Sequence, residues 1–98
     1  MNKNYETVLN DIKENFKDSK YSTSQLSDNT GLDKNDARDA IKNKTQRSLS
    51  NYIRFYRLNH SQNLLKKGKK NISEVAYDSG FSSLSYFSKS FKDEFGYS

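Results

Sequence analysis

The pattern Leu26-x4-Gly31-Leu32 returns 49 residues later as Val75-x4-Gly80-Phe81, and a chain carrying it twice has few folds open to it. In each copy an apolar residue anchors a short segment. A glycine supplies the left-handed turn that ends a helix, and the apolar residue after it packs back on the segment it has left. Each copy is followed by apolar positions one helical turn apart, Ala37 and Ile41 in the first and Phe87 and Phe91 in the second, now displaced by 50 residues. A short helix, a glycine-containing turn and a second helix make a helix-turn-helix. Helical hairpins are common singly; two in register in one small chain are a much sharper signal.

The rest of the chain agrees. It has no proline, and its apolar residues recur every three or four positions, the helical period. Val8, Leu9, Ile12 and Phe16 form one stripe of a first helix over about Tyr5 to Lys17, which Asp18-Ser19-Lys20 ends. Ser22 is a good N-cap for a second, around Ser24 to Thr30, with Leu26 inward. Asp33 can cap a third, about Lys34 to Asn43, with Ala37, Ala40 and Ile41 inward. Ser48 caps the longest, about Leu49 to Lys67, whose stripe is Leu49, Tyr52, Ile53, Tyr56, Leu64 and Leu65, with Gly68 as its end. Ser73 starts a fifth helix, carrying Val75 and Ala76 and closed by Gly80. A sixth, about Ser83 to Lys92, precedes Phe95-Gly96-Tyr97-Ser98, a helix end or the start of a further turn. No segment alternates at period two. The expected fold is all-α: helix-turn-helix subdomains over 1–48 (motif about 23–43) and 68–98 (motif about 73–92), joined by a linker helix over 49–67.

Composition narrows the function. Apolar residues are only 32% of the chain, so the core must be thin, while 13% aromatic content argues against disorder. The absence of cysteine excludes disulfides, zinc fingers and a thiol nucleophile. The single histidine, His60, leaves nothing for a multi-histidine metal site and little for a histidine-based triad. It reads as a solvated or packed helix residue. No carboxylate pair or Ser/Lys dyad is spaced for catalysis, and no cofactor pattern is present, so neither an enzyme nor a cofactor is expected. No apolar run approaches the ~18 residues of a membrane span, and the polar N-terminus is no signal peptide, so a cytoplasmic protein with no membrane partner is expected. The net charge of +5 is uneven. Nine cations face eight carboxylates in residues 1–48, against eight and four in residues 49–98.

The segment Ile72-Ser73-Glu74-Val75-Ala76-Tyr77-Asp78-Ser79-Gly80-Phe81-Ser82-Ser83-Leu84-Ser85-Tyr86-Phe87-Ser88-Lys89-Ser90-Phe91-Lys92, ending in Phe95-Gly96, resembles the signature of AraC/XylS-type transcription regulators. Upstream, Gly31-Leu32, Lys42, Thr45, Ser48-Leu49 and Tyr52-Ile53 match the first motif and the start of the linker helix, and Arg57-Leu58 and Leu64-Leu65 match its remainder. The resemblance runs from about Tyr5 to Gly96. It implies a bipartite domain that binds double-stranded promoter DNA and usually recruits RNA polymerase as an activator, with the isolated domain expected to be monomeric. It also implies a separate effector or dimerisation domain and a pattern continuing past residue 98, so the chain is expected to be one domain of a longer regulator. Geometry permits the reading: nineteen helical residues at ~1.5 Å each span roughly 28 Å, against ~34–36 Å between successive major grooves.

On the sixth helix, with Phe87 and Phe91 inward, Ser85, Lys89 and Lys92 lie on the opposite side and Ser88 on the flank. Lys89 is the best base contact, a cation able to donate to guanine O6 or N7, though without the planar fork of Arg. The resemblance adds Leu84, which the helical wheel divides between core packing and contact with a thymine methyl. On the third helix the resemblance carries over to Asn35, Arg38 and Asp39, with Lys34 beside them. Asn can read adenine and Arg guanine. Asp39 departs from the family, which often has a basic or amide residue here, and could only accept from a cytosine amino group. With Asp28, Asp33 and Asp36 it makes this half locally acidic.

Thr45, Arg47 and Ser48 precede the long helix, whose free amides could hold a phosphate, while Ser48 serves equally well as a plain N-cap. Arg54 and Arg57 could contact phosphate or pair with carboxylates of the first motif. Lys66, Lys67, Lys69 and Lys70 suit a helix C-terminus and a solvated face, or contact phosphate. Tyr77 and Tyr86 read as packing residues with wet hydroxyls rather than stacking platforms. The alternative function is a helical adaptor that binds RNA polymerase or another regulator through the same faces; the acidic first motif favours it.

Overall fold

The computed structural model describes residues 3–97, so Ser98 of the expected final turn lies outside the described residues. Six α-helices and no strand are found among them: α1 (Lys3–Asn15), α2 (Thr23–Thr30), α3 (Lys34–Thr45), α4 (Leu49–Lys67), α5 (Ile72–Asp78) and α6 (Leu84–Phe95). None is long and apolar enough to cross a membrane. They form two compact units, one of Lys20–Ile53 with the chain up to Asn15, the other of Phe16–Ser19 with the chain from Arg54 onward.

In the first unit α1, α2 and α3 pack on one another around Val8, Ile12, Tyr21, Leu26, Ala37 and Ile41, joined by Leu49 and Ile53 from the start of α4. The Tyr21 hydroxyl donates to Asp11 Oδ2 at 2.5 Å and Asn15 Nδ2 donates to the Asp11 carbonyl at 2.9 Å, so one aspartate ties down the end of α1. Ser22 Oγ accepts from the Gln25 amide, and Gly31, at φ 76°, sends its N–H to the Ser27 carbonyl, as the sequence predicts. Two details differ. Asp33 stands before α3, yet its side chain makes no capping bond. The helix runs two residues past Asn43 and ends on Gln46 in the left-handed region (φ 66°), its N–H closing onto the Lys42 carbonyl and its own carbonyl accepting from Lys42 Nζ.

The second unit collects Leu58, Val75, Ala76, Phe81, Phe87 and Phe91, edged by Leu64, Leu65, Leu84 and Phe95. Its rings meet edge-on, Phe81 with Phe87 at 5.2 Å and Phe91 with Phe95 at 4.7 Å, and burying each contributes about 2 kcal/mol. The cap of α5 is Asn71 rather than Ser73. Asn71 Oδ1 accepts from the Glu74 amide at 2.9 Å while Glu74 Oε1 accepts from the Asn71 amide at 3.0 Å, a reciprocal pair that starts the helix at Ile72. Ser83 Oγ caps α6, which extends past Lys92 to Phe95 and closes on left-handed Gly96.

Phe16 corrects the predicted stripe of α1. The helix stops at Asn15, two residues short of the predicted Lys17, and the Phe16 ring lies 5.0 Å from both Tyr56 and His60 in the second unit. Its carbonyl accepts from Arg57 Nε at 2.8 Å, and the Asp18 carbonyl accepts from Arg57 Nη2 at 3.0 Å. In these bonds Arg57 serves backbone carbonyls rather than phosphate or the carboxylates of the first motif. The long helix differs too. Leu58 and Ser61 are fully buried while Tyr52, Tyr56, Leu64 and Leu65 are half-buried. Because α4 faces one core with Leu49 and Ile53 and another with Leu58 and Ser61, its apolar positions do not follow a single stripe.

Gly80 completes the second unit. Its φ is 94°, and a Cβ there would lie 2.1 Å from the Phe16 carbonyl oxygen and 2.8 Å from Arg57 Nε. Gly80→Ala should therefore lower the unfolding free energy by roughly 2–5 kcal/mol, combining a disfavoured backbone with a steric overlap; a urea midpoint unchanged from the parent would contradict this. Next to it, the fully buried Ser79 hydroxyl has no hydrogen-bond partner among the described residues. Removing an unsatisfied buried hydroxyl relieves its desolvation cost, so Ser79→Ala should stabilise the chain by about 1 kcal/mol in the same urea assay. Partial burial, then the charges of Lys17 and Lys67, push the His60 imidazole below the ordinary histidine value of 6.5, with Asp78 opposing. Below that value the unfolded chain takes up a proton that the folded chain resists, so stability is full above it and falls as pH drops from it towards the lowered value of the folded chain. His60→Gln should flatten that part of the urea-stability profile.

Candidate nucleic-acid interface

A helix that buries positions 37 and 41 must show the opposite side to solvent, and α3 does so with Asn35, Arg38, Asp39 and Lys42, all exposed. In the other unit α6 buries Phe87, Ser90 and Phe91 and exposes Ser85, Ser88, Lys89 and Lys92. Displaced by 50, the two sets coincide position for position: Asn35 with Ser85, Arg38 with Ser88, Asp39 with Lys89, Lys42 with Lys92. Each helix therefore has the same core phase and the same outward phase. The chemistry on that phase differs, mixed in charge on α3 and basic at the centre of α6.

Within α3, Arg38 Nη1 donates to Asn35 Oδ1 at 3.4 Å, one turn apart, so these two predicted base readers stand as neighbours. Lys34 is exposed at the first turn, where Asp36 is also found. Asp39 shares a shallow recess with Asp36, Asn43, Lys44 and Tyr5, the Lys44 ammonium lying 5.7 Å from the centre of the Tyr5 ring. That recess is acidic on the α3 side, in keeping with the near-neutral first half.

On α6, the Lys89 side chain is 78% exposed. Its ammonium lies 3.4 Å from Asp93 Oδ2, one turn on and 58% exposed, an i,i+4 pair in open solvent that other partners can displace. Leu84 is half-buried against the core of the second unit, which satisfies the packing side of its predicted double role. Ser85 is fully outward; Ser88, on the flank, borders a small apolar recess of about 160 Å³ with Leu65, Ile72, Phe87 and Phe91. Tyr77 and Tyr86 are exposed, and Tyr86 sets its ring 5.6 Å from Phe81.

At the start of α4, Ser48 Oγ accepts from the Asn51 amide at 3.2 Å, and Arg47 Nη1 donates to Asn51 Oδ1 at 2.8 Å. Ser48 thus performs the capping role, while Thr45 Oγ1 accepts from the Arg47 amide at 3.1 Å and orders the turn before it. Two outward residues were absent from the predicted set: Lys42, the counterpart of Lys92, and Asp93, which sits beside Lys89. The 50-residue displacement in the sequence already pairs Lys42 with Lys92.

Comparison with known proteins agrees with this geometry. The chain matches the family described as a helix-turn-helix domain over residues 26–98. It is 44% identical over 55 residues, 56% of its own length, to the HTH-type transcriptional activator RhaS of Mannheimia succiniciproducens. It is 30% identical over 84 residues, 86% of its length, to a histidine kinase of Formosa agariphila. It spans only 20% of that activator and 6% of that kinase. Among solved structures, the C-terminal domain of the two-component response regulator yesN from Fusobacterium nucleatum superposes with a TM-score of 0.86 at 24% identity, covering 96% of this chain and 91% of that one. A Listeria innocua protein of unknown function gives 0.80, also at 24%, covering 94% and 87%. These two share the fold. With paired helix-turn-helix motifs in matching phase and a family match over most of its length, the chain belongs to the helix-turn-helix family of AraC/XylS-type DNA-binding domains.

Proposed function

We propose that this domain binds double-stranded promoter DNA sequence-specifically, with α3 and α6 each inserted into a major groove and the two grooves successive along one face. The matched outward phases of α3 and α6 carry the reading: the same four positions, 50 residues apart, are free of core duty in both helices. The 19 residues of α4, roughly 28 Å at ~1.5 Å per residue, suit a spacing near the ~34–36 Å groove repeat. Lys89 is the principal base contact, supported by Ser85, Ser88 and Lys92, with Leu84 at the edge. Asn35 and Arg38 read adenine and guanine from α3, Asp39 accepts from a cytosine amino group, and Lys34, Arg47 and Ser48 serve phosphates. The domain acts as a monomer in the cytoplasm, and within a regulator it brings RNA polymerase to the promoter. The second half, with eight cations to four carboxylates, supplies most of the salt-dependent affinity.

Lys89→Ala should weaken specific duplex binding by ~1–3 kcal/mol and relax preference at one base pair. Asn35→Ala should cost less, since the first half is near neutral. Fluorescence anisotropy against a selected site and its single-base variants, repeated over a salt series, measures both. The logarithm of affinity should fall linearly with the logarithm of salt. Unchanged affinity and preference in the Lys89 variant would overturn its assignment. A flat salt response with no sequence preference would instead favour docking to a protein such as polymerase through the acidic first motif.

A further inference from the structure

The second unit holds a recess of about 610 Å³ that no residue of α6 lines. Its walls are Lys17 from the Phe16–Ser19 segment, His60, Leu64 and Lys67 from α4, Lys70 from the following loop, and Tyr77 and Asp78 from α5. The charges are not balanced. Lys70 forms an ion pair with Asp78, which holds that carboxyl below and that ammonium above their ordinary values. Among the described residues, Lys17 and Lys67 have no carboxylate within salt-bridge distance. Two ammonium groups outside any ion pair, Lys17 (5.9 Å from the Phe16 ring centre and within the field of Asp78) and Lys67, thus border one open concavity with an imidazole and a phenol, and Leu64 is its apolar patch. An anion seated in this hollow meets Lys17 and Lys67 on its walls, and neither has to give up an ion pair to receive it.

We propose that this recess is a binding site for a phosphate group, held by Lys17 and Lys67 with His60 and the Tyr77 hydroxyl as further donors. It is separate from the outward face of α6, so it stands whether or not Lys89 reads a base. The phosphate comes either from a small phosphorylated anion or from the backbone of a duplex passing that side of the unit.

Several charged and titratable groups surround His60. Lys17, Lys67 and Lys70 disfavour its protonated form and Asp78 favours it; Tyr56 and Arg57 lie one turn and less away on α4, and Tyr77 on the facing wall. An anion seated among them must raise the imidazole's affinity for protons, and by linkage it must itself bind more tightly as the ring protonates.

The test uses the intact 98-residue chain and pyrophosphate as probe. NMR titration of His60 with pyrophosphate should show saturable binding and an upward pKa displacement larger than sodium chloride gives at equal ionic strength. Affinity should rise as pH falls from about 7.5 to 5.5, and Lys17→Gln with Lys67→Gln should weaken it at least tenfold. These exposed substitutions leave the core untouched, which an unchanged urea midpoint verifies. A second arm measures the salt slope of duplex binding in the same double variant. A slope smaller by about 0.9 per lost phosphate contact, with base preference intact, assigns the phosphate to DNA. Pyrophosphate binding with an unchanged slope assigns it to a small anion. Chloride-like displacement of His60 together with an unchanged slope overturns the site, while loss of duplex binding in Lys89→Ala bears only on the reading of α6.

Discussion

Where the turn between α5 and α6 meets the Phe16 carbonyl, there is no room for any side chain at residue 80. That carbonyl also receives Arg57 Nε, so one oxygen fastens an arginine of the long helix to the segment against which the turn is pressed. The close approach of the turn to the 16–19 segment depends on this contact. A domain with 32% apolar residues cannot hold such geometry by bulk burial alone. It relies on backbone contact at close range, edge-on rings and side chains that cap helix ends.

Features set by local rules were legible in the sequence. Ser22 and Ser48 cap the helices they precede, Gly31 takes the left-handed turn, and Gly68 ends α4, because each depends on residues three or four positions away. Features set by distant partners were not. Phe16 fits the apolar spacing of α1, and only the rings of Tyr56 and His60, some forty residues on, explain why it leaves that stripe. Asp33 has the right chemistry for a cap but not the bond, and Asn71 with Glu74 does the work that Ser73 seemed placed for. The long helix hid Leu58 and Ser61 because a stripe presumes one core, and α4 answers to two.

The outward residues of α6 could be read from the wheel, because exposure on a packed helix is the complement of burial, while those of α3 came from the family resemblance. Their immediate partners could not be read. Nothing in the spacing weighs Asp93 against solvent as the neighbour of Lys89, or sets Lys44 over the Tyr5 ring. The two outward faces are also unequal in a way that phase alone does not express. The α3 face holds an amide and a guanidinium suited to forked contacts with purines, but also a carboxylate. The α6 face holds short hydroxyls around lysines, which adapt to more than one base. In the proposed function, discrimination and attraction are thus divided between the motifs.

The chain enters the second unit for four residues, Phe16–Ser19, and then returns to the first before α4 carries it across again. A transplant of the second motif that begins within the long helix would leave behind Phe16, its carbonyl and the partner of Arg57. Engineers grafting one reading head onto another scaffold would therefore have to bring this short strap along, or supply a substitute for it.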